Sequence, residues 1–118
     1  MPPEIEPITD LSRIDIHTIT TKRLLIETCF KRYAEMGFGG ISGWDDGGDS
    51  AGAARVRKLV DKSGLRVPAL VRGGFFVSAD HAKRAAAQDL NRKRIEQARG
   101  IGAEMIVIVA GAEPGVPL

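Results

Sequence analysis

Apolar residues recur at helical spacing in three stretches, each followed by a short, more continuous apolar run. From Thr21 to Met36, Leu25, Cys29, Tyr33 and Met36 fall on one stripe, with Ile26 and Phe30 beside it, while Lys22, Glu27, Lys31 and Glu35 lie elsewhere. The pattern predicts an amphipathic helix capped by Thr20 or Thr21. A second helix is expected from about Ser50 to Lys62, with Ala53, Val56, Leu59 and Val60 inward. The third and longest runs from Ser78 as N-cap to Ile101 and turns Ala82, Ala85, Ala86, Leu90, Ile95 and Ala98 inward, a thin stripe that can sit close to a sheet.

Glycine punctuates the pattern. Gly37, Gly64 and Gly102 each stand just past a periodic stretch and just before an apolar run, the place where a left-handed cap ends a helix without a Cβ penalty. The runs themselves predict strands over Arg13 to Thr18, Gly40 to Asp45, Val67 to Arg72 and Met105 to Ala110. The last is apolar at every position, as in a parallel strand covered on both faces. The order β-α-β-α-β-α-β at about 30 residues per unit calls for a parallel sheet with crossover helices.

Two parallel folds compete, an open doubly wound sheet and a closed (β/α)8 barrel, and the barrel takes roughly 250 residues. With 118 residues and four strands, the chain is the first half of a barrel or a small open sheet. It reads as one partial domain over residues 1–118, with a leader at 1–12 and a loop at 111–118 that stops where a fourth helix would begin. Helices on the outer face alone would leave the inner face of the last two strands in water, together with open backbone edges on the strands holding His17 and Val107.

Composition changes this picture little. Hydrophobic residues make up 43% and charged residues 27%, as in an ordinary globular domain. Lys and Arg number 17 against 15 Asp and Glu, a net +2 with interspersed signs, which argues against nucleic-acid and membrane partners. One cysteine, Cys29, precludes an internal disulfide, and the start MPPEIEPITD has neither the basic nor the apolar region of a secretion signal. A reducing, cytoplasmic setting is expected.

Most local motifs fail. Gly37 and Gly39 begin a dinucleotide-like run that breaks at Ser42, and no Gly-Lys-Ser/Thr triplet exists for a phosphate loop. The acidic stretch Trp44 to Ser50 departs from a calcium loop at Gly47 and Val56, and reads as a strand-to-helix loop in which Asp49 or Ser50 caps the second helix. Cys29, mid-helix with no histidine near in sequence, reads as a small buried hydrophobe, and His81 as a surface residue in the first turn of the third helix. Three residues remain as candidates: His17, Trp44 and Arg72, each near the carboxyl end of a different strand. In parallel α/β folds that rim carries the ligand. Gly73-Gly74-Phe75-Phe76 follows Arg72, offering close backbone approach and apolar cover for an anionic or hydroxylated ligand. Each also has a structural reading: Trp44 as core, His17 as a satisfied internal histidine, Arg72 as a partner for Asp45 or Asp89. Asp89, Asn91 and Arg92 form a further polar cluster that an i, i+3 pair between Asp89 and Arg92 would explain.

Taken together and in order, Ser12-Arg-Ile-Asp-Ile-His17-Thr-Ile-Thr-Thr-Lys22, Gly40-Ile-Ser-Gly-Trp44, Val71-Arg72-Gly-Gly-Phe-Phe76 and Asp89-Leu-Asn91-Arg92 resemble the N-terminal half of the sugar phosphate isomerase/epimerase family of xylose-isomerase-like TIM barrels. The resemblance implies a (β/α)8 barrel that binds a sugar, keto-sugar or inosose-like polyol at the C-terminal rim. It implies a divalent metal, Mn, Mg, Co or Zn, held in the full-length family by Glu, Asp, His and Glu of later strands, with proton transfer between adjacent carbons. This sequence ends before those strands, so no metal and no catalysis are expected of it alone, and only His17, Trp44 and Arg72 match pocket-lining positions. Two alternatives stand beside this reading: a non-catalytic half-barrel that pairs with itself or with a complementary C-terminal half, and an endonuclease-like relative acting on abasic DNA, which the near-neutral charge disfavours.

Overall fold

The computed structural model describes residues 1–43 and 50–117. It is a mixed α/β arrangement of three α-helices and short parallel strand pairs. β1 (Asp15–His17) pairs with β2 (Gly40–Ser42), and β3 (Ala69–Gly74) with β4 (Met105–Val109), both in parallel. α1 (Ile26–Glu35) lies between β1 and β2, α2 (Ser50–Ser63) between β2 and β3, and α3 (His81–Ile101) between β3 and β4. Backbone bonds link the two pairs: the Arg66 N–H donates to the Gly39 carbonyl, the Ile41 N–H to that of Arg66, and the Gly43 N–H to that of Ala69. Hydrogen bonding thus runs in the order β1-β2-β3-β4. The core gathers between sheet and helices, where Phe30, Ile41, Val56, Leu70 and Ile101 are fully enclosed.

The helix ends follow the glycines: Gly37, Gly64 and Gly102 all have positive φ, at 88°, 72° and 77°. The helix starts do not follow the expected caps. α1 begins at Ile26, with Leu25 as an N-cap that makes no side-chain bond, and Thr18–Thr21 form a separate 3-10 turn. Thr20 and Thr21 therefore do not cap α1. The Thr21 hydroxyl is taken up by the Tyr33 hydroxyl and, at 3.4 Å, by Cys29 Sγ, so it is unavailable to a helix N–H. Leu25 and Met36 lie outside the buried stripe, which narrows to Cys29, Phe30 and Tyr33. The cap of α3 is Asp80, not Ser78: its carboxylate accepts from Ala82 and Lys83, while the Ser78 hydroxyl accepts from the Asp80 N–H at 3.1 Å. A carboxylate there also meets the positive helix end.

The inward face of α3 is also shorter than the sequence pattern suggests. Of the six residues expected inward only Ala98 is buried, joined by Gln97 and Ile101, while Ala82, Ala85, Ala86, Leu90 and Ile95 face solvent. Length accounts for the first two turns: the 21 residues of α3 span about 31 Å at 1.5 Å per residue, whereas the six of β3 span about 20 Å. The N-terminal turns of the helix stand clear of the sheet, Asn91 at mid-helix meets it through Gly74, and full burial begins at Gln97. β4 reads as a strand apolar on both faces and is open here, as helices on one face alone would leave it: Met105, Val107, Ile108 and Val109 are exposed, with Ile106 partly packed on the core.

Candidate functional site

At the end of β1 the chain turns sharply into the 3-10 turn, and His17 makes that turn. Its Nδ1 accepts from the Ile19 N–H at 3.0 Å, so the neutral imidazole carries its proton on Nε2. His17 pairs across the ladder with Ser42, and Gly43, just beyond, comes up against the imidazole. A Cβ on Gly43 would stand 2.1 Å from His17 Nε2, and its φ of 67° suits glycine, so this close approach requires the residue that is there. The Thr18 hydroxyl donates to the Gly43 carbonyl and ties the 3-10 turn to the end of β2.

Arg72 comes from β3, which is expected from the sequence to end at it but runs two residues further to Gly74, so Arg72 stands inside the strand. The ladder with β4 pairs Val71 with Val107 and then Gly73 with Ile108, so Arg72 is the extra residue of a bulge, a device that re-aims a side chain out of the regular alternation. Its guanidinium carbon lies 5.0 Å from the centroid of the Phe75 ring, within cation–π range. The Phe75 N–H in turn donates to the Val109 carbonyl at 2.6 Å.

His17 and Arg72 line one open cleft of about 700 Å³. Thr18 and Lys22 add a hydroxyl and a second cation; Ile19, Leu24, Ile26, Cys29 and Val71 supply apolar wall. Among the described residues no carboxylate lines it, and neither Lys22 nor Arg72 has a carboxylate partner. Two cations, an imidazole and a hydroxyl facing one space suit oxyanions and hydroxyl-rich molecules. Trp44, the third rim candidate, lies outside the described residues, as do Asp45 and Asp49.

The remaining sequence candidates sort plainly. Cys29 is buried, with its thiol beside the Thr21 hydroxyl, and His81 opens α3 in solvent. Burial of Tyr33 pushes its phenol above the usual range, with the Thr21 hydrogen bond opposing. Asp89 pairs with Arg92 at 2.7 Å, not with Arg72. Asn91 is the residue whose part the pattern hid: its side-chain amide bonds the backbone of Gly74, next to the Arg72 bulge. The visible signal was the Gly73-Gly74 pair, which leaves room for an amide to reach backbone. A larger furrow of about 970 Å³ runs between α2 and α3, but Arg57 and Arg92 on its walls are already paired with Asp61 and Asp89. Among the described residues no three His, Cys, Asp or Glu side chains converge as a metal site would require, so no metal-dependent step is derived from them. Among them, too, no helix is long and apolar enough to cross a membrane.

No protein-family model matches the sequence, and no curated protein matches it. A solved structure does. Protein SMc04130 from Sinorhizobium meliloti 1021 is similar at a TM-score of 0.75 and 29% identity, over 86% of this chain and 38% of that one. This chain thus spans well under half the length of the solved protein.

Proposed function

We propose that the chain forms the first half of a (β/α)8 barrel of the sugar phosphate isomerase/epimerase type, in a cytoplasmic setting, and supplies one wall of a sugar or polyol site at its carboxyl rim. The observation that carries the reading is the cleft lined by His17 of β1 and Arg72 of β3 together with Lys22 and Thr18, and by no carboxylate among the described residues. Strands of consecutive parallel order and the likeness to a solved chain more than twice as long support the half-barrel. In this reading the Arg72 fork and Lys22 hold an anionic or hydroxyl end of the ligand, His17 Nε2–H donates to a neighbouring oxygen, the Thr18 hydroxyl, its own proton on the Gly43 carbonyl, accepts from a ligand hydroxyl, and the apolar wall excludes water. The divalent metal and the acid and base of such a family belong to later strands, and the residues here bind and orient only.

Calorimetric titration with ribose 5-phosphate, which offers both hydroxyls and a phosphate, tests this. His17→Ala and Arg72→Ala should each weaken binding about tenfold or more, roughly 1.4 kcal/mol, while stability changes by about 1 kcal/mol or less. Binding unchanged in both variants, or a variant that melts far below the parent with binding intact, would show these residues to be structural. A second reading, a non-catalytic module that pairs with another chain along β4, is favoured by the exposure of that strand.

A further inference from the structure

The bulge that carries Arg72 is held from a distance in sequence. Asn91 of α3 accepts from the Gly74 N–H through Oδ1 at 2.6 Å and donates to the Gly74 carbonyl through Nδ2 at 2.8 Å. Its second amide hydrogen goes to the Ala87 carbonyl, one turn back in its own helix, at 2.7 Å. Both donors of the amide are used, and its oxygen is engaged. The side chain treats Gly74 as a neighbouring strand would, taking both its N–H and its C=O. Gly73 is caught in the same grip: a Cβ there would fall 2.7 Å from Asn91 Oδ1 and 3.1 Å from Ile106 Cγ2.

A bulge followed by two glycines has many backbone states open to it, and each pinned residue reduces them. On the near side the ladder pins Val71 to Val107. On the far side the grip on Gly74 and the Phe75 N–H to the Val109 carbonyl fix the chain, and Phe75 provides the ring on which Arg72 rests. We infer that Asn91 is the positioning residue for Arg72, fixing through Gly74 the bulge and the Phe75 platform that aim the guanidinium into the cleft. The placement of Arg72 is independent of any ligand; its value for sugar binding rests on the reading above.

The test needs no ligand for its first arm. Ring currents from Phe75 should displace the Arg72 Hδ and Hε resonances upfield, and in folded Asn91→Leu or Asn91→Asp these should return toward exposed-chain values while core resonances stay. Asn91→Asp keeps the acceptor for the Gly74 N–H and sets an acceptor oxygen against the Gly74 and Ala87 carbonyls in place of both donors, so it breaks the grip with the smaller change of shape. In the unaltered chain the Gly74 amide should exchange as slowly as core amides. The second arm is a double-mutant cycle read by ribose 5-phosphate titration. Asn91→Asp should weaken binding several-fold in the parent and have no further effect in Arg72→Ala, because it acts through Arg72. Arg72 resonances that do not move in a folded variant, a Gly74 amide that exchanges like an open loop, or additive losses in the cycle would each overturn the inference. Arg72→Ala that binds as the parent does would instead overturn the sugar-site reading and leave the positioning of Arg72 to the spectroscopic arm.

Discussion

Ile108→Lys on β4 should turn an associating chain into a monomer. β4 is bonded to β3 along one edge, and its aliphatic side chains stay open, with Met105 56%, Val107 41%, Ile108 60% and Val109 37% exposed. Full burial of a large aliphatic side chain is worth roughly 1.5 to 3 kcal/mol, so covering the remaining half of each gains about 1 kcal/mol. A contact that covers the strand in both copies gains about 6 to 8 kcal/mol, with about 0.5 to 1.5 more for each new backbone bond. Against that stands an association cost that begins at about 4 kcal/mol, which about four new backbone bonds at about 1 kcal/mol each would offset, so the net gain stays at about 6 to 8 kcal/mol and the dissociation constant at about 1 to 40 micromolar. The lysine removes one of the larger apolar gains and places an ammonium where it would lose water, a penalty of several kcal/mol per ion. Light scattering coupled to size exclusion, run from about 0.2 to 200 micromolar, brackets that range. The parent should shift from monomer toward dimer or larger species across it, and Ile108→Lys should remain monomeric. A parent monomeric throughout, or a lysine variant that associates equally well, would refute the exposed-strand argument.

Two further perturbations probe the rim. Gly43→Ala places a methyl group where the His17 ring lies and demands a positive φ from alanine; it should cost about 1 to 3 kcal/mol and displace the imidazole, seen as a lowered melting temperature with shifted His17 ring protons. Unchanged ring shifts would mean the contact yields without moving the histidine. Tyr33, the only tyrosine, holds its proton more tightly in the folded chain than in the unfolded one because burial disfavours the phenolate. Its contribution is therefore complete below the ordinary phenol value of about 10 and lost as pH rises through the raised one, so stability should decline above about pH 10. Tyr33→Phe should flatten that alkaline slope, and a phenolate absorbance titrating at the ordinary value would contradict the burial argument.

Residues whose role is local could be read from the sequence. Gly37, Gly64 and Gly102 end helices because a left-handed residue is needed there, and Cys29, Phe30 and Tyr33 share a face because 3.6-residue periodicity puts them together. What escaped depends on partners distant in the chain. Thr21 had the right position for a cap, but its hydroxyl bonds to Tyr33, 12 residues on. The alanine stripe of α3 promised close packing along its length, but burial is confined to Gln97, Ala98 and Ile101, and mid-helix the sheet is met through the Asn91 amide. At the rim, the strand ends announced His17 and Arg72, whereas the bulge at Arg72 and the Asn91 grip on Gly74 span 17 residues and follow from no periodicity. The same string Asp89-Leu-Asn91-Arg92 reads as a surface ion pair for two of its members and as an anchor for the third.

The claim that His17 and Arg72 face one ligand from two strands is tested most directly by titrating ribose 5-phosphate into isotope-labelled chain while following the His17 ring and the Arg72 side-chain Nε–Hε group by NMR. Both sets of signals should move along one saturation curve, with Lys22 moving on the same curve. Ribose 5-phosphate that leaves both unmoved, or that moves one and not the other, would contradict the shared cleft as a sugar site.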